Sequence, residues 1–379
     1  MKLVVDHKIP FIGGVLEAKA EVVYLPGDAI GPADVKDADG LIVRTRTKCN
    51  RALLEGSAVK FIATATIGHD HIDTGWCDAA GITWTNAPGC NSGSVEQYIV
   101  SVLLSLPGLR GADPAGKTLG IIGVGNVGRK VAGAAAALGY KVLLNDPPRA
   151  ETEGDAAFAV LDEVLEAADI VTIHVPLTDH GKYPTRHLAD DALFSAMKQG
   201  AIFINTSRGE VVEEAALKDA LRSGKLSAAV LDVFQHEPAV DRELLSLLTI
   251  ATPHIAGYST DGKANGTTMS VRAASRFFGL GMDQWTPADV PVPGEPELFA
   301  DGAEKDAMEV IREVYGMTYD VQVDHENLKA RMDQFEKLRG DYRIRREPPA
   351  YHVRVFNDDG KYREIFEGLG FGVIGDSCF

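Results

Sequence analysis

The chain has 379 residues, with 38 Lys and Arg against 54 Asp and Glu, a formal charge of −16. That length suits two or three domains, and 45% hydrophobic with 24% charged residues is the composition of a folded chain rather than a disordered one. So acidic a balance argues against sequence-independent nucleic-acid binding, which needs a basic face, and no run approaches the length of a membrane-spanning helix. Cys49, Cys77, Cys90 and Cys378 lie far apart without metal-ligand spacing, a reduced pattern with neither a disulfide scaffold nor a metal site. The opening MKLVVDHKIPF lacks the basic region and long apolar stretch of a secretory signal, so a cytoplasmic location is expected.

Short apolar runs at 3–5, 22–24, 40–43 and 61–65, with helical stretches at 33–37 and 50–54 between them, predict a parallel sheet with helices on its faces. A longer helix over about 94–106 carries Val95, Ile99, Val102, Leu103 and Leu106 at helical spacing. The rhythm restarts more strongly at Thr118. Strands are expected at 119–122, 141–144, 170–175, 201–205, 228–232 and 249–251, and helices at 127–138, 161–167, 192–197 and 213–223. This is a doubly wound α/β domain of about six strands. A helix over 263–279 follows. The stretch WTPADVPVPGEPE then holds four of the 18 prolines and reads as an extended linker. Beyond it, helices near 304–315, 326–337 and 361–369 and strands at 351–356 and 371–374 predict a small α+β unit.

Gly123-Val124-Gly125-Asn126-Val127-Gly128 follows one strand and opens the next helix. Glycines there allow a tight turn, close approach of a pyrophosphate and close helix–strand packing, while the amides of Asn126, Val127 and Gly128 sit at the positive end of the helix. Asp146 ends the next strand, where a carboxylate accepts both ribose hydroxyls of NAD and repels a 2′-phosphate. Arg149 is the nearby residue that would soften that preference. A glycine turn and a strand-end Asp before Pro147-Pro148 are the ordinary alternatives.

Three more segments end strands on the edge where open α/β sheets bind ligands: Asn205-Thr206-Ser207-Arg208-Gly209, Asp232-Val233-Phe234-Gln235-His236-Glu237-Pro238, and Thr252-Pro253-His254-Ile255-Ala256-Gly257. With the glycine fingerprint, these motifs in this order resemble the D-isomer-specific 2-hydroxyacid dehydrogenase family. The resemblance implies an NAD-dependent enzyme with a Rossmann domain (95–257) inserted in a flavodoxin-like substrate domain (1–94 and 258–285). It also implies a linker (286–298) and a small C-terminal α+β dimerisation domain (299–379), giving a homodimer. Leu338, Tyr342 and Tyr351 are candidate interface anchors, with simple core as the alternative. His254 is the implied base, a role that suits histidine because its ordinary pKa lies near working pH. Glu237 would orient that ring, and Arg208 would grip the substrate carboxylate with its guanidinium fork. Val175, Thr206, Asp232 and Gly257 complete the implied cofactor set. His236, beside Glu237, matches no family position.

Further strings resemble the branch of the family that oxidises 4-phospho-D-erythronate, toward pyridoxal 5′-phosphate. They include Val43-Arg44-Thr45-Arg46-Thr47-Lys48, the segment from Ala63 to Asp73, Ala87-Pro88-Gly89-Cys90-Asn91, Tyr258 after His254, and Phe335-Glu336-Lys337-Leu338-Arg339. A phosphate bound by so acidic a chain needs local cations, and Arg44, Arg46 and Lys48 cluster. Thr45, Thr66 and Tyr258 are the other substrate candidates. In a continuing strand Arg44 and Arg46 share a face that Thr45 does not, so all three serve one ligand only if the strand has ended. Ser207 stands where this branch often has cysteine. Other readings are a phosphoglycerate or glyoxylate/hydroxypyruvate dehydrogenase, or an NAD-sensing relative without turnover.

Overall fold

The computed structural model describes residues 1–106, 114–303, 305–358 and 360–374. They fall into two compact units, Met1–Asn91 with Tyr258–Pro291 and Ser92–Gly257 with Val292–Phe379. Cys378 and the end of the expected C-terminal domain beyond Ile374 lie outside the described residues, as does Glu304.

In the first unit, β1 (Lys2–Asp6), β2 (Glu21–Leu25), β3 (Gly40–Val43), β4 (Phe61–Thr64) and β5 (Thr83–Thr85) form a parallel sheet in the order β2-β1-β3-β4-β5. A sheet covered on both faces calls for apolar residues at every position, and β3 and β4 are buried throughout. Leu3 and Val5 join Val271 and Ala274 of the Thr260–Phe278 helix in one core. Val4, Leu41 and Val43 point oppositely, into a second core with Leu53, Ile72 and Cys77. This is the flavodoxin-like order, with its ligand edge at the strand C-termini.

In the second unit, β6 (Thr118–Ile122), β7 (Lys141–Asn145), β8 (Ile170–Ile173), β9 (Ala201–Asn205), β10 (Leu226–Leu231) and β11 (Ile250–Ala251) form a parallel sheet ordered β11-β10-β9-β8-β6-β7. The strand order reverses between β6 and β8, which places the ligand crevice outside their C-terminal ends. A separate parallel sheet, β12 (Glu297–Asp301), β13 (His352–Phe356) and β14 (Gly372–Val373), serves the C-terminal segment. That segment also shares the nucleotide sheet's core: Leu328 and Phe335 cluster with Val171, Phe203 and Leu231. His325 Nδ1 accepts the Ala251 amide of β11 at 3.1 Å.

Several boundaries differ from expectation. The helix predicted near 326–337 is two, Val321–Ala330 and Phe335–Gly340, separated by a 3-10 turn at Met332–Gln334. Asp320 starts the first early by accepting the Gln322 amide. β12 begins inside the expected linker; its alternately exposed and buried residues are masked in sequence by the surrounding prolines. Tyr351 is buried and Tyr342 half-buried, Tyr342 donating to Asp324 Oδ2 at 2.6 Å, and Leu338 packs on the nucleotide core.

Candidate active site

The glycine fingerprint lies at the tip of β6. Gly123 adopts φ 87°, and a Cβ on it would come within 2.7 Å of the His174 carbonyl oxygen and 2.8 Å of Val175 Cγ1. A Cβ on Gly128 would strike the Gly123 carbonyl, so both glycines are required for packing. Gly125 differs: a Cβ there meets nothing within 4 Å, leaving open space over the first turn of the Asn126–Ala137 helix. The amides of that first turn have no partner within the helix, so this end of it offers donors suited to a pyrophosphate. Asp146 is fixed at the tip of β7 by two amides, Val124 N on Oδ2 at 2.8 Å and Arg149 N on Oδ1 at 3.1 Å. Each oxygen keeps a lone pair for a ribose hydroxyl. The Arg149 guanidinium is engaged by Glu153 at 2.7 and 2.6 Å and by the Val124 carbonyl at 2.5 Å. The set fits NAD.

His174, not singled out in the sequence, ties the ends of β8 and β9. Its Nε2 lies 3.0 Å from Thr172 Oγ1 and its Nδ1 3.4 Å from Thr206 Oγ1. Burial pushes its pKa down to about 3, so the ring is neutral at ordinary pH.

Arg208 follows β9, Glu237 the loop after β10, and His254 the end of β11. His254 Nδ1 is 2.8 Å from Glu237 Oε2, which brings together two residues 17 apart in sequence. His236, adjacent to Glu237, is not that partner. Glu237 Oε1 accepts the Phe234 amide at 3.0 Å, and Arg339 Nη1 lies 3.8 Å from Oε2. Burial works against the charged carboxylate, yet the His254 hydrogen bond and charge, the Phe234 amide and Arg339 outweigh it and hold Glu237 below the usual carboxylate range. His254 adopts φ 55°, a conformation uncommon outside glycine.

Asp232 is what holds that turn. It is 1% exposed and accepts Ile255 N on Oδ1 and Ala256 N on Oδ2, each at 2.8 Å, and Thr252 Oγ1 at 2.6 Å. Expected as a cofactor residue, it has its lone pairs largely committed to the His254 loop. Burial raises it to about 6 against the pull of His254 and these donors. Asn205 knots the Arg208 loop: its Oδ1 accepts Ser207 N at 2.9 Å and Ser207 Oγ at 2.7 Å, and its Nδ2 donates to the Arg208 carbonyl at 2.9 Å. Arg208 Nη1 donates to the Ser207 carbonyl at 2.8 Å. A Cβ on Gly209 would collide with the Phe234 backbone, so the Arg208 and Glu237 loops touch main chain to main chain.

Residues 102–256 match the model for the NAD-binding domain of D-isomer specific 2-hydroxyacid dehydrogenases. The chain is 53% identical over 358 residues to erythronate-4-phosphate dehydrogenase of Bacteroides fragilis, covering 94% of this chain and 99% of that one. The chain belongs to the D-isomer-specific 2-hydroxyacid dehydrogenase family. It is also 40% identical over 379 residues to erythronate-4-phosphate dehydrogenase of Escherichia coli O157:H7, covering 99% of each. Among solved structures it resembles D-lactate dehydrogenase from Aquifex aeolicus complexed with NAD and lactic acid (27% identity, TM-score 0.62, 75% of this chain and 97% of that one). It likewise resembles NAD+-bound 3-phosphoglycerate dehydrogenase of Entamoeba histolytica (27% identity, TM-score 0.63, 76% and 98%). This family member is an oxidoreductase that uses NAD.

The remaining candidates of this 2-hydroxyacid dehydrogenase lie in the first unit. β3 ends at Val43, and Arg44 to Thr47 form a turn closed by Thr47 N on the Arg44 carbonyl at 3.2 Å. Strand alternation therefore does not separate Arg44, Thr45 and Arg46. Arg44 Nη1 donates to the Lys8 carbonyl at 3.1 Å, while Thr45 and Arg46 are exposed. Thr66 donates to the Gly68 carbonyl at 2.9 Å and lies 2.8 Å from Thr64 Oγ1, which meets His71 Nε2 at 3.1 Å. Burial lowers His71 to about 4, so this chain of hydroxyls ends on a neutral imidazole. The Tyr258 ring carries Lys263 Nζ 5.0 Å from its centroid. Gly257 ends the first stretch of the second unit, immediately before Tyr258.

Proposed function

We propose that the chain oxidises 4-phospho-D-erythronate to 2-oxo-3-hydroxy-4-phosphobutanoate, an early step toward pyridoxal 5′-phosphate. The observation that carries the chemistry is the Glu237–His254 pair on the ligand edge of a sheet that also presents the NAD cradle. With Nδ1–H donated to Glu237, the neutral imidazole leaves Nε2 as its acceptor, the tautomer a general base needs. Nε2 takes the C2 hydroxyl proton, Glu237 stabilises the imidazolium that results, and Arg208 holds the substrate carboxylate. Bound NAD supplies the acceptor for the hydride leaving C2.

The substrate rests on two supports. The relatives named for erythronate 4-phosphate match 94% and 99% of this chain, C-terminal segment included, whereas the two dehydrogenase structures match about three quarters. The turn carrying Arg44 and Arg46 supplies cations suited to a phosphate in a protein of charge −16. NADH formation with 4-phospho-D-erythronate, 3-phosphoglycerate and D-glycerate tests this. Turnover should be fastest with the erythronate. The Arg44→Gln/Arg46→Gln double variant should raise its KM at least tenfold, with little change in kcat. An unchanged KM would remove these arginines from phosphate recognition, and preference for another acid would discard the substrate while keeping the mechanism. A homodimer built through the C-terminal segment and a cytoplasmic location accompany this reading.

A further inference from the structure

We propose that Arg339 is a positioning residue for the reaction, holding Glu237 from the C-terminal segment and sharing with His254 the charge on one carboxylate oxygen. The inference rests on the reading of Glu237 and His254 given above and extends it to a residue outside the Rossmann fold.

Its placement follows from a closed set of contacts. The Phe234 amide donates to Glu237 Oε1, and the Phe234 ring meets the Phe335 ring edge-on, centroids 6.0 Å apart at 81°. Phe335, 2% exposed, opens the Phe335–Gly340 helix, so Arg339 lies one turn on, on the same face. Leu338 packs against the same core and fixes the rotation of that turn. Arg339 Nη1 thus reaches within 3.8 Å of Glu237 Oε2, the oxygen that His254 Nδ1 meets at 2.8 Å.

The chemistry needs such a cation. Before turnover the base must be neutral, and without Arg339 Glu237 would then be a largely buried anion held only by neutral donors, a costly state that a counter-charge relieves. Arg339 supplies that charge permanently, whereas His254 supplies it only when protonated. By occupying part of Oε2 it also withdraws some of the stabilisation of the imidazolium. Among the described residues, Asp232, buried at the end of β10, also couples to His254, and the Glu214 carboxylate holds the Gln235 amide two residues from Glu237 and feels His236. Neither anion supplies the missing positive charge.

The test is the pH dependence of kcat/KM for oxidation in wild type, Arg339→Gln, Arg339→Met and Arg339→Lys, with a ring-labelled histidine NMR titration of the His254 resonance. The acid limb, and the resonance with it, should move up by about half a pH unit or more in the two neutral variants and stay near the wild-type position in Arg339→Lys. Arg339→Met retains the aliphatic stem and covers the case of a poorly folded Gln variant. A limb unmoved in the neutral variants, or moved equally in the Lys variant, overturns the proposal. His254→Ala separates the two readings. Lost turnover there with unmoved Arg339 profiles refutes Arg339 alone, while retained turnover refutes the base and the Arg339 proposal with it.

Discussion

His254 sits at φ 55° in a turn braced by the Asp232 carboxylate, which takes the next two backbone amides and the Thr252 hydroxyl. Backbone in this region costs on the order of 1 kcal/mol or more and persists where its surroundings over-determine it. His254, Glu237, Arg208 and the glycines were legible because their residue types and order are those the proposed chemistry needs. Asp232 and Asn205 were legible as strand-end polar residues but not as clamps, since their partners are main-chain groups that any sequence supplies. Gly209 was visible only as part of an Arg-Gly pair. Its lack of a Cβ lets the Arg208 loop lie on the Phe234 backbone, so Gly209→Ala should push these loops apart. A displacement near 1 Å can cost about 100-fold in rate, so kcat/KM should fall at least tenfold with NAD affinity close to wild type. Steady-state kinetics beside NADH fluorescence titration checks this, and unchanged kinetics would refute the packing argument.

Strands buried on both faces, such as Gly40–Val43 and Ala201–Asn205, were readable to the residue because burial on both faces makes a nearly continuous apolar run. The helices Thr74–Ala79, Pro147–Glu153 and Arg242–Leu247 were not, being too short for a helical period; Asp73, Asp146 and Asp241 begin them with side-chain caps. The Ser92–Ser105 helix carries a titrating group of its own. Burial, aided by Glu347, raises Glu96 to about 7 despite Lys130 at 3.6 Å. The folded state therefore favours the protonated acid. That contribution is present in full below the ordinary value of 4.5 and is lost as pH rises through about 7. Relative to Glu96→Gln, wild type should lose on the order of 2 kcal/mol of stability between pH 5 and 8. Urea denaturation at the two pH values measures it, and parallel curves for the two proteins would contradict it.

At the scale of the molecule, the reading of three parts met a second unit that includes the C-terminal segment. The reason lies in Leu328 and Phe335, which join the core under the nucleotide sheet, and in His325, which receives an amide of β11. Apolar residues on a short helix do not announce whether they bury against their own neighbours or a distant sheet, so sequence alone could not assign them. Truncating a buried Phe to Ala costs about 3–5 kcal/mol. Phe335→Ala should accordingly lower the melting temperature and expose the Rossmann part to proteolysis, with NAD restoring part of the loss through linkage. Local loosening of the C-terminal segment alone, with the Rossmann part as protease-resistant as in wild type, would show that the two do not share a core.

His254 is the proposed base of an NAD-dependent oxidation of a phosphorylated 2-hydroxy acid. The direct measurement is NADH formation with 4-phospho-D-erythronate by wild type and His254→Ala, with NAD binding followed separately. Turnover in wild type, a fall of about 100-fold or more in the variant, and equal NAD affinity are the expected result. Turnover in the variant near the wild-type rate would contradict the account.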